Sequence, residues 1–207
     1  HWQAEDIDRR CEAIWQENDD AIFLSGSYTD GYGYQAANKV THTRKVIWIK
    51  NHPILSPFLL VIDELKPADP KLHHYELLWH PTSDTVHKVG LAAHCGAADE
   101  PGLVLIPSQL PQLKLDIVKG QTEPEWQGWK VVGNGFQGEY QEAPVVRYTW
   151  EALGPSKIVT VLYPVCKGES CPIKKASYID GEKDQVQLKL DTPSRGDDPF
   201  IHISITP

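Results

Sequence analysis

The sequence contains no methionine, and a chain that opens on His1-Trp2 without one reads as a processed chain or a piece excised from a longer protein. It also lacks long apolar runs. The longest, Phe58 to Ile62, is strand-sized and far short of the ~18 to 20 residues that a membrane-spanning helix requires. Positive charge is scarce: 20 Lys and Arg face 28 Asp and Glu, a formal net charge of -8. That balance excludes general nucleic-acid binding and a polybasic membrane surface, unless a local patch supplies either. With 41% hydrophobic and 23% charged residues, the composition excludes a disordered chain. A chain longer than ~150 residues buries roughly 70% of its unfolded surface, so no metal or cystine staple is needed for stability. No signal peptide is visible, which leaves secretion open because a processed chain would have lost it.

Cysteine is limited to four residues. Cys166 and Cys171 bracket the polar tip Lys167-Gly168-Glu169-Ser170, just after an apolar strand and just before Pro172. A cystine there could close a hairpin and would contribute about 2 kcal/mol at best by the chain-entropy argument. The alternative is two free thiols. A zinc site would need a second ligand pair that the spacing does not offer. Cys11 and Cys95 stand singly and read as core thiols, or as a second bridge.

What the sequence has in quantity is strand signal. β-Branched and aromatic runs bounded by Gly, Pro, Asn or Asp occur at Lys45 to Lys50, Phe58 to Ile62, Tyr75 to Trp79, Val145 to Trp150 and Ile158 to Tyr163. Val186 to Leu190 and Ile201 to Ile205 alternate with period two, as half-buried antiparallel strands do. Sixteen prolines and fifteen glycines leave little room for helices. At the start, Ile7, Cys11 and Ile14 fit a helix, whereas Cys11, Ala13 and Trp15 fit a strand that continues through Ala21 to Leu24. Strand is the better reading. The stretches Gly96 to Gly102 and Gly133 to Gly138 read as surface loops, and no composition shift divides the chain. The expectation is one all-β domain over residues 1–207, an antiparallel sandwich of two packed sheets with little helix.

The densest polar cluster is Lys39 to Lys50, with Lys39, Arg44, Lys45 and Lys50 and no acid. On a strand, His42, Arg44, Val46, Trp48 and Lys50 share a face. Such a face could meet a carboxylate or sulfate and stack a sugar ring. Alternatively, Arg44 and Lys45 pair with Asp63 and Glu64, and His42 is hydrogen-bonded within the sandwich. In His73 to His80, alternation places His74, Glu76 and His80 on one face and His73, Tyr75 and Trp79 on the other. His42, Asp63 and His80 together would supply the imidazoles and carboxylate of a metal site, although their spacing matches no compact motif. The sequence offers no G-x-S-x-G, H-E-x-x-H or phosphate loop. Tyr28, Tyr32 and Tyr34 could line a sugar groove or cover one end of the sandwich. Trp126 and Trp129 in Glu125-Trp126-Gln127-Gly128-Trp129 could stack on a carbohydrate or anchor their loop.

In order along the chain, Gly31-Tyr32, Thr41-His42-Thr43-Arg44, Leu60-Val61-Ile62-Asp63-Glu64-Leu65 and Tyr75-Glu76-Leu77-Leu78-Trp79-His80 resemble the C-terminal β-sandwich region of heparinase II/III-like polysaccharide lyases. Trp126-Gln127-Gly128-Trp129, the Pro144 to Trp150 segment and Val161-Leu162-Tyr163-Pro164 extend the resemblance, which covers roughly Ser25 to Pro164. It implies a supersandwich-like fold and a bacterial, periplasmic or extracellular parent enzyme. That enzyme would cleave acidic polysaccharide by β-elimination: a base takes the proton α to a uronate carboxylate, whose charge is neutralised, and an acid protonates the leaving oxygen. The resemblance further implies that the catalytic groups lie on a helical toroid N-terminal to the sandwich, so no catalytic residue is carried over. His42 and Arg44 match the family's H-x-R position, and Asp63 and His80 its later Asp and His. The expected partners are that toroid, in the same polypeptide, and acidic polysaccharide. Neither nucleic acid nor membrane is expected. Substrate contacts would come from His42, Arg44, Trp126 and Trp129. No cofactor is expected in this piece, with zinc or calcium at His42, Asp63 and His80 the weaker alternative. The chain alone is expected to be inactive, the other readings being a binding module for acidic polysaccharide and a structural cell-surface sandwich.

Overall fold

The computed structural model describes residues 13–29, 31, 39–97, 99–133, 138–180, 185–190 and 199–205. None of these is helical. In chain order the strands are β1 (Ala13–Glu17), β2 (Ala21–Tyr28), β3 (Val40–Ile49), β4 (Phe58–Pro67), β5 (Leu72–Trp79), β6 (Val86–Val89), β7 (Ala92–Cys95) and β8 (Gly102–Pro107). They continue with β9 (Lys114–Val118), β10 (Trp129–Val132), β11 (Glu139–Glu142), β12 (Val145–Leu153), β13 (Ser156–Val165), β14 (Ile173–Ile179), β15 (Gln185–Leu190) and β16 (Phe200–Ser204).

Eight strands form a central sheet in the order β1-β2-β3-β4-β13-β8-β7-β6, with every pairing antiparallel. Its middle strands are buried on both faces, which is why Phe58 to Ile62 reads as a continuous apolar run, and Ile158 to Leu162 as one interrupted by Thr160 alone, rather than as alternating ones. One face packs Ile47, Leu60, Ile62, Val159 and Val161 against Ile173, Ala176, Val186, Leu188 and Ile201 of the sheet β14-β15-β16. The opposite face packs Val40, Leu65, Leu105 and Ile158 against Tyr75, Leu77, Leu115, Tyr148 and Trp150 of the sheet β5-β12-β9. The expected antiparallel sandwich is therefore present, with the central sheet carrying a core on each side. Strands β10 and β11 pair as a two-stranded sheet of their own.

The strands expected from the sequence match β3, β4, β5, β12, β13, β15 and β16, with Lys50 and Ile205 each one residue past a strand end, and Ala13 to Trp15 lie in β1. Cys11, Tyr32 and Tyr34 lie outside the described residues. Cys95 is a buried thiol, pushed up to about 11 by burial. The cystine considered for Cys166 and Cys171 is not formed in the structure. Cys166 is exposed, whereas Cys171 belongs to the core under β14 and donates its thiol hydrogen to the Ile173 carbonyl at 3.6 Å. The two cysteines thus sit on opposite sides of the boundary between solvent and core.

One core position carries a mismatch. Thr160, in the middle of β13, is fully buried and its hydroxyl makes no hydrogen bond to the protein. Desolvating a hydroxyl without a partner is unfavourable, so Thr160→Val should stabilise the fold by about 1 kcal/mol. The check is the urea unfolding midpoint, which should rise with an unchanged m-value; a lower midpoint would mean that the hydroxyl is satisfied.

Candidate functional site

Antiparallel pairing of β3 with β4 sets Arg44 directly opposite Asp63, and His42 two pairs further along opposite Leu65. All four side chains emerge on the face turned toward β5. The Arg44 guanidinium grips Asp63 at both ends, Nε donating to Oδ1 at 2.6 Å and Nη2 to Oδ2 at 3.2 Å. His42 Nε2 lies 2.6 Å from the same Oδ1. An ionised carboxylate only accepts hydrogen bonds, so His42 donates through Nε2.

Asp63 is 2% exposed. Burial alone would raise its carboxyl, but hydrogen bonds from His42 and Arg44 and the charge of the guanidinium outweigh burial and hold it below its ordinary value of 3.8. Trp79 on β5 closes over the assembly from the other layer, its ring centroid 5.6 Å from Arg44 Cζ. Beside it the two sheets part into a cleft of about 760 Å³, walled by His42, Arg44 and Asp63 on one side and by His73, Tyr75 and Trp150 on the other. The polar groups of that second wall are largely occupied. Tyr75 stacks on Trp150 at 5.4 Å and donates its hydroxyl to the Gly154 carbonyl, while His73 Nε2 meets Asp69 at 2.9 Å.

The structure thus brings His42, Arg44 and Asp63 together, and with them the Arg44–Asp63 and Lys45–Glu64 pairs anticipated from the sequence, the latter at 2.7 Å. It does not bring in His80, which is exposed beyond the end of β5. Among the described residues no three His, Cys, Asp or Glu side chains gather as a metal site would require. The physical reason is that Asp63 is already taken up by Arg44 and His42. His74 and Glu76 lie on the exposed outer face of β5, as alternation implied. The basic strand is largely neutralised: Arg44 by Asp63, Lys45 by Glu64 and Lys50 by Glu17 at 3.0 Å.

Trp126 and Trp129 lie elsewhere, at the β10-β11 ribbon, where they stack on each other with centroids 5.7 Å apart. Tyr140 of β11 completes that aromatic group, 4.6 Å from Trp126. The sequence reading missed it because a single aromatic in Glu139-Tyr140-Gln141-Glu142 gives no periodic signal. The detectable clue was that this Tyr interrupts an otherwise polar run.

No protein-family model and no curated protein matches the sequence. Solved structures do match the fold. A mutant of the heparan sulfate lyase HepC from Pedobacter heparinus superposes with a TM-score of 0.62 at 15% identity, over 95% of this chain and 28% of that one. A heparinase III structure matches with a TM-score of 0.65 at 13% identity, over 95% of this chain and 27% of that one. The chain therefore has the β-sandwich fold found in heparinase III structures, and it spans little more than a quarter of the length of those proteins.

Removing the guanidinium would leave a buried carboxylate with only the His42 hydrogen bond to hold it. Arg44→Met should cost about 3 kcal/mol at neutral pH, measured by urea unfolding. The pH dependence has a definite sign. Because the folded carboxyl titrates below 3.8, its contribution is complete above that value and is lost as pH falls through the lowered native value. The cost of Arg44→Met should therefore shrink as pH falls below 3.8 and through the lowered native value. A cost independent of pH would show that the ion pair is not the source.

Proposed function

We propose that the chain is an accessory β-sandwich domain of a heparinase-like polysaccharide lyase, inactive by itself, that forms one wall of a cleft against a second domain of the same polypeptide. The observation that carries this reading is an uncovered apolar face next to the His42–Arg44–Asp63 cluster. Cross-strand pairing aligns Trp15, Leu24 and Val46 in one row, Ile22 and Trp48 in the next, and Gly26 with Arg44 in the row beyond Leu24. These residues are on the same side of the sheet as β5, yet Trp15 is 61% and Trp48 44% exposed. A contiguous patch of large apolar side chains is what a soluble domain keeps when something covers it. The similar structures contain over three times the length of this chain, which favours a further domain as the cover over a second copy.

On this reading the second domain carries the groups that abstract the proton and protonate the leaving oxygen. His42, Arg44 and Asp63 hold the shape of the facing wall rather than perform the chemistry. Uronate-containing polysaccharide is the substrate class that the family resemblance favours, and the periplasm or cell exterior the matching location. A stand-alone module for acidic polysaccharide is less well supported. Arg44, Lys45 and Lys50, three of the four cations in the basic strand, already have carboxylate partners, and the whole chain carries a net charge of -8.

Two measurements test the proposal. The isolated chain should give no rise in ultraviolet absorbance from unsaturated product on heparin, heparan sulfate, alginate or hyaluronan, and clear turnover would overturn the accessory role. In addition, a variant carrying Trp15→Ser, Leu24→Ser and Trp48→Ser should lose no more than about 1 kcal/mol of stability, since exposed positions contribute little. It should also bind less of a hydrophobic dye than the parent chain. Collapse of the fold would instead assign these residues to this domain's own core.

A further inference from the structure

The aromatic group on the β10-β11 ribbon is separate from the cleft and from the apolar face, and neither accounts for it. Its construction begins with the register. Trp129 pairs with Glu142 and Val131 with Tyr140, so these four side chains share one face of the ribbon, while Lys130, Gln141, Val132 and Glu139 occupy the other. Trp126, on the preceding loop, lies over the first face, nearly parallel to Trp129 at 17° and nearly perpendicular to Tyr140 at 79°. Despite these contacts, Trp126 is 55%, Tyr140 54% and Val131 56% exposed. The rings form an open corner.

Hydrogen bonds brace that corner. The Trp126 loop is closed by reciprocal Gln121–Gln127 backbone hydrogen bonds of 2.9 and 3.0 Å, and by Gly120 N–H donating to the Gly128 carbonyl at 2.9 Å. The Trp129 indole N–H is fixed on the Gln121 carbonyl at 2.8 Å. Gly128 is required at the closure, because its φ is 81° and a Cβ there would come within 2.7 Å of the Lys119 backbone. A ligand meeting this surface would have little to order, which removes a main cost of binding.

We infer that the Trp126–Tyr140 corner is a carbohydrate-binding site for neutral glycans, the apolar C–H face of a pyranose ring stacking on one aromatic ring while the other flanks its edge. Stacking against an indole suits a ring that is apolar on one face and hydroxylated at its rim. The charges select against uronates and sulfated sugars. The ionisable side chain that the ribbon places on this face is Glu142, lying over Gly120, and Glu125 adjoins Trp126 in sequence. Of the nearby cations, Lys130 points from the opposite face to Asp84 at 2.7 Å, and Lys119 also interacts with Asp84. No cation faces the aromatic corner among the described residues of the ribbon. This inference goes beyond the accessory-domain reading and shares no residue with it, so either can fail alone.

The test is titration of the 207-residue chain with cellohexaose, chitohexaose and hexagalacturonate, followed by calorimetry and tryptophan emission. At least one neutral oligosaccharide should bind and shift the emission, with hexagalacturonate weaker by about tenfold or more. Trp126→Ala should weaken neutral binding at least about tenfold without moving the thermal midpoint, and Tyr140→Ala should weaken it in the same direction. Glu142→Gln should narrow the gap between neutral and uronate ligands. The inference is overturned if neither neutral sugar binds at about 10 mM, if Trp126→Ala binds as well as the parent, or if hexagalacturonate binds tightest. Self-association of the chain that Trp126→Ala abolishes would likewise overturn it and make the corner a protein contact.

Discussion

The Asp63 carboxylate, 2% exposed and held by both His42 and Arg44, is the interaction on which the free end of the central sheet depends. A charge buried so deeply is tolerated only when it is paired and its lone pairs are filled. Its partners come from β3, and the cation that satisfies it also lies against Trp79 of the facing layer. One carboxylate thus joins two strands and two layers where the sheets begin to diverge into a cleft. The same fact limits what the cluster can do. An arginine committed at both ends to an internal carboxylate has little field left for an anionic ligand.

From this point the sheet is covered unevenly. Toward β13 and β8 both faces carry a core, and toward β1 one face opens to solvent while keeping apolar side chains. Uneven cover of a single sheet, together with solved structures of the same fold that are far longer, gives the accessory-domain reading its physical content. The ribbon at the other site obeys a different logic. It exposes aromatic rings with no cation on their face, whereas the cleft has an arginine that is already paired. Neither surface has the charge expected of a module that holds an acidic polysaccharide unaided.

How much of this was legible in the sequence depended on burial. β4 and β13, buried on both faces, announced themselves as apolar, largely β-branched runs, and β15 and β16 as alternating ones. The hairpin β6-β7 did not, because Val86-His87-Lys88-Val89 and Ala92-Ala93-His94-Cys95 are short and rich in small or polar residues. In β14 the register shifts between Ile173 and Lys175, which breaks the alternation that would have revealed it. Pairing of Arg44 with Asp63 was foreseeable from chemistry, since an inward Asp requires a cation. That His42 would reach the same oxygen was not, because His42 stands opposite Leu65 and its contact is diagonal across the pleat. The stacking of two smaller sheets on opposite faces of a large one was equally hidden, since single-strand patterns report burial and not which layer provides it.

Asp63 stays ionised in the folded protein because His42 and Arg44 hold it so. The most direct measurement is the carbon-13 NMR titration of the Asp63 side-chain carboxyl in the folded chain, assigned with Asp63→Asn. The prediction is a midpoint below the ordinary 3.8 that shifts upward in Arg44→Met. A midpoint at or above 3.8, or one indifferent to Arg44, would contradict it.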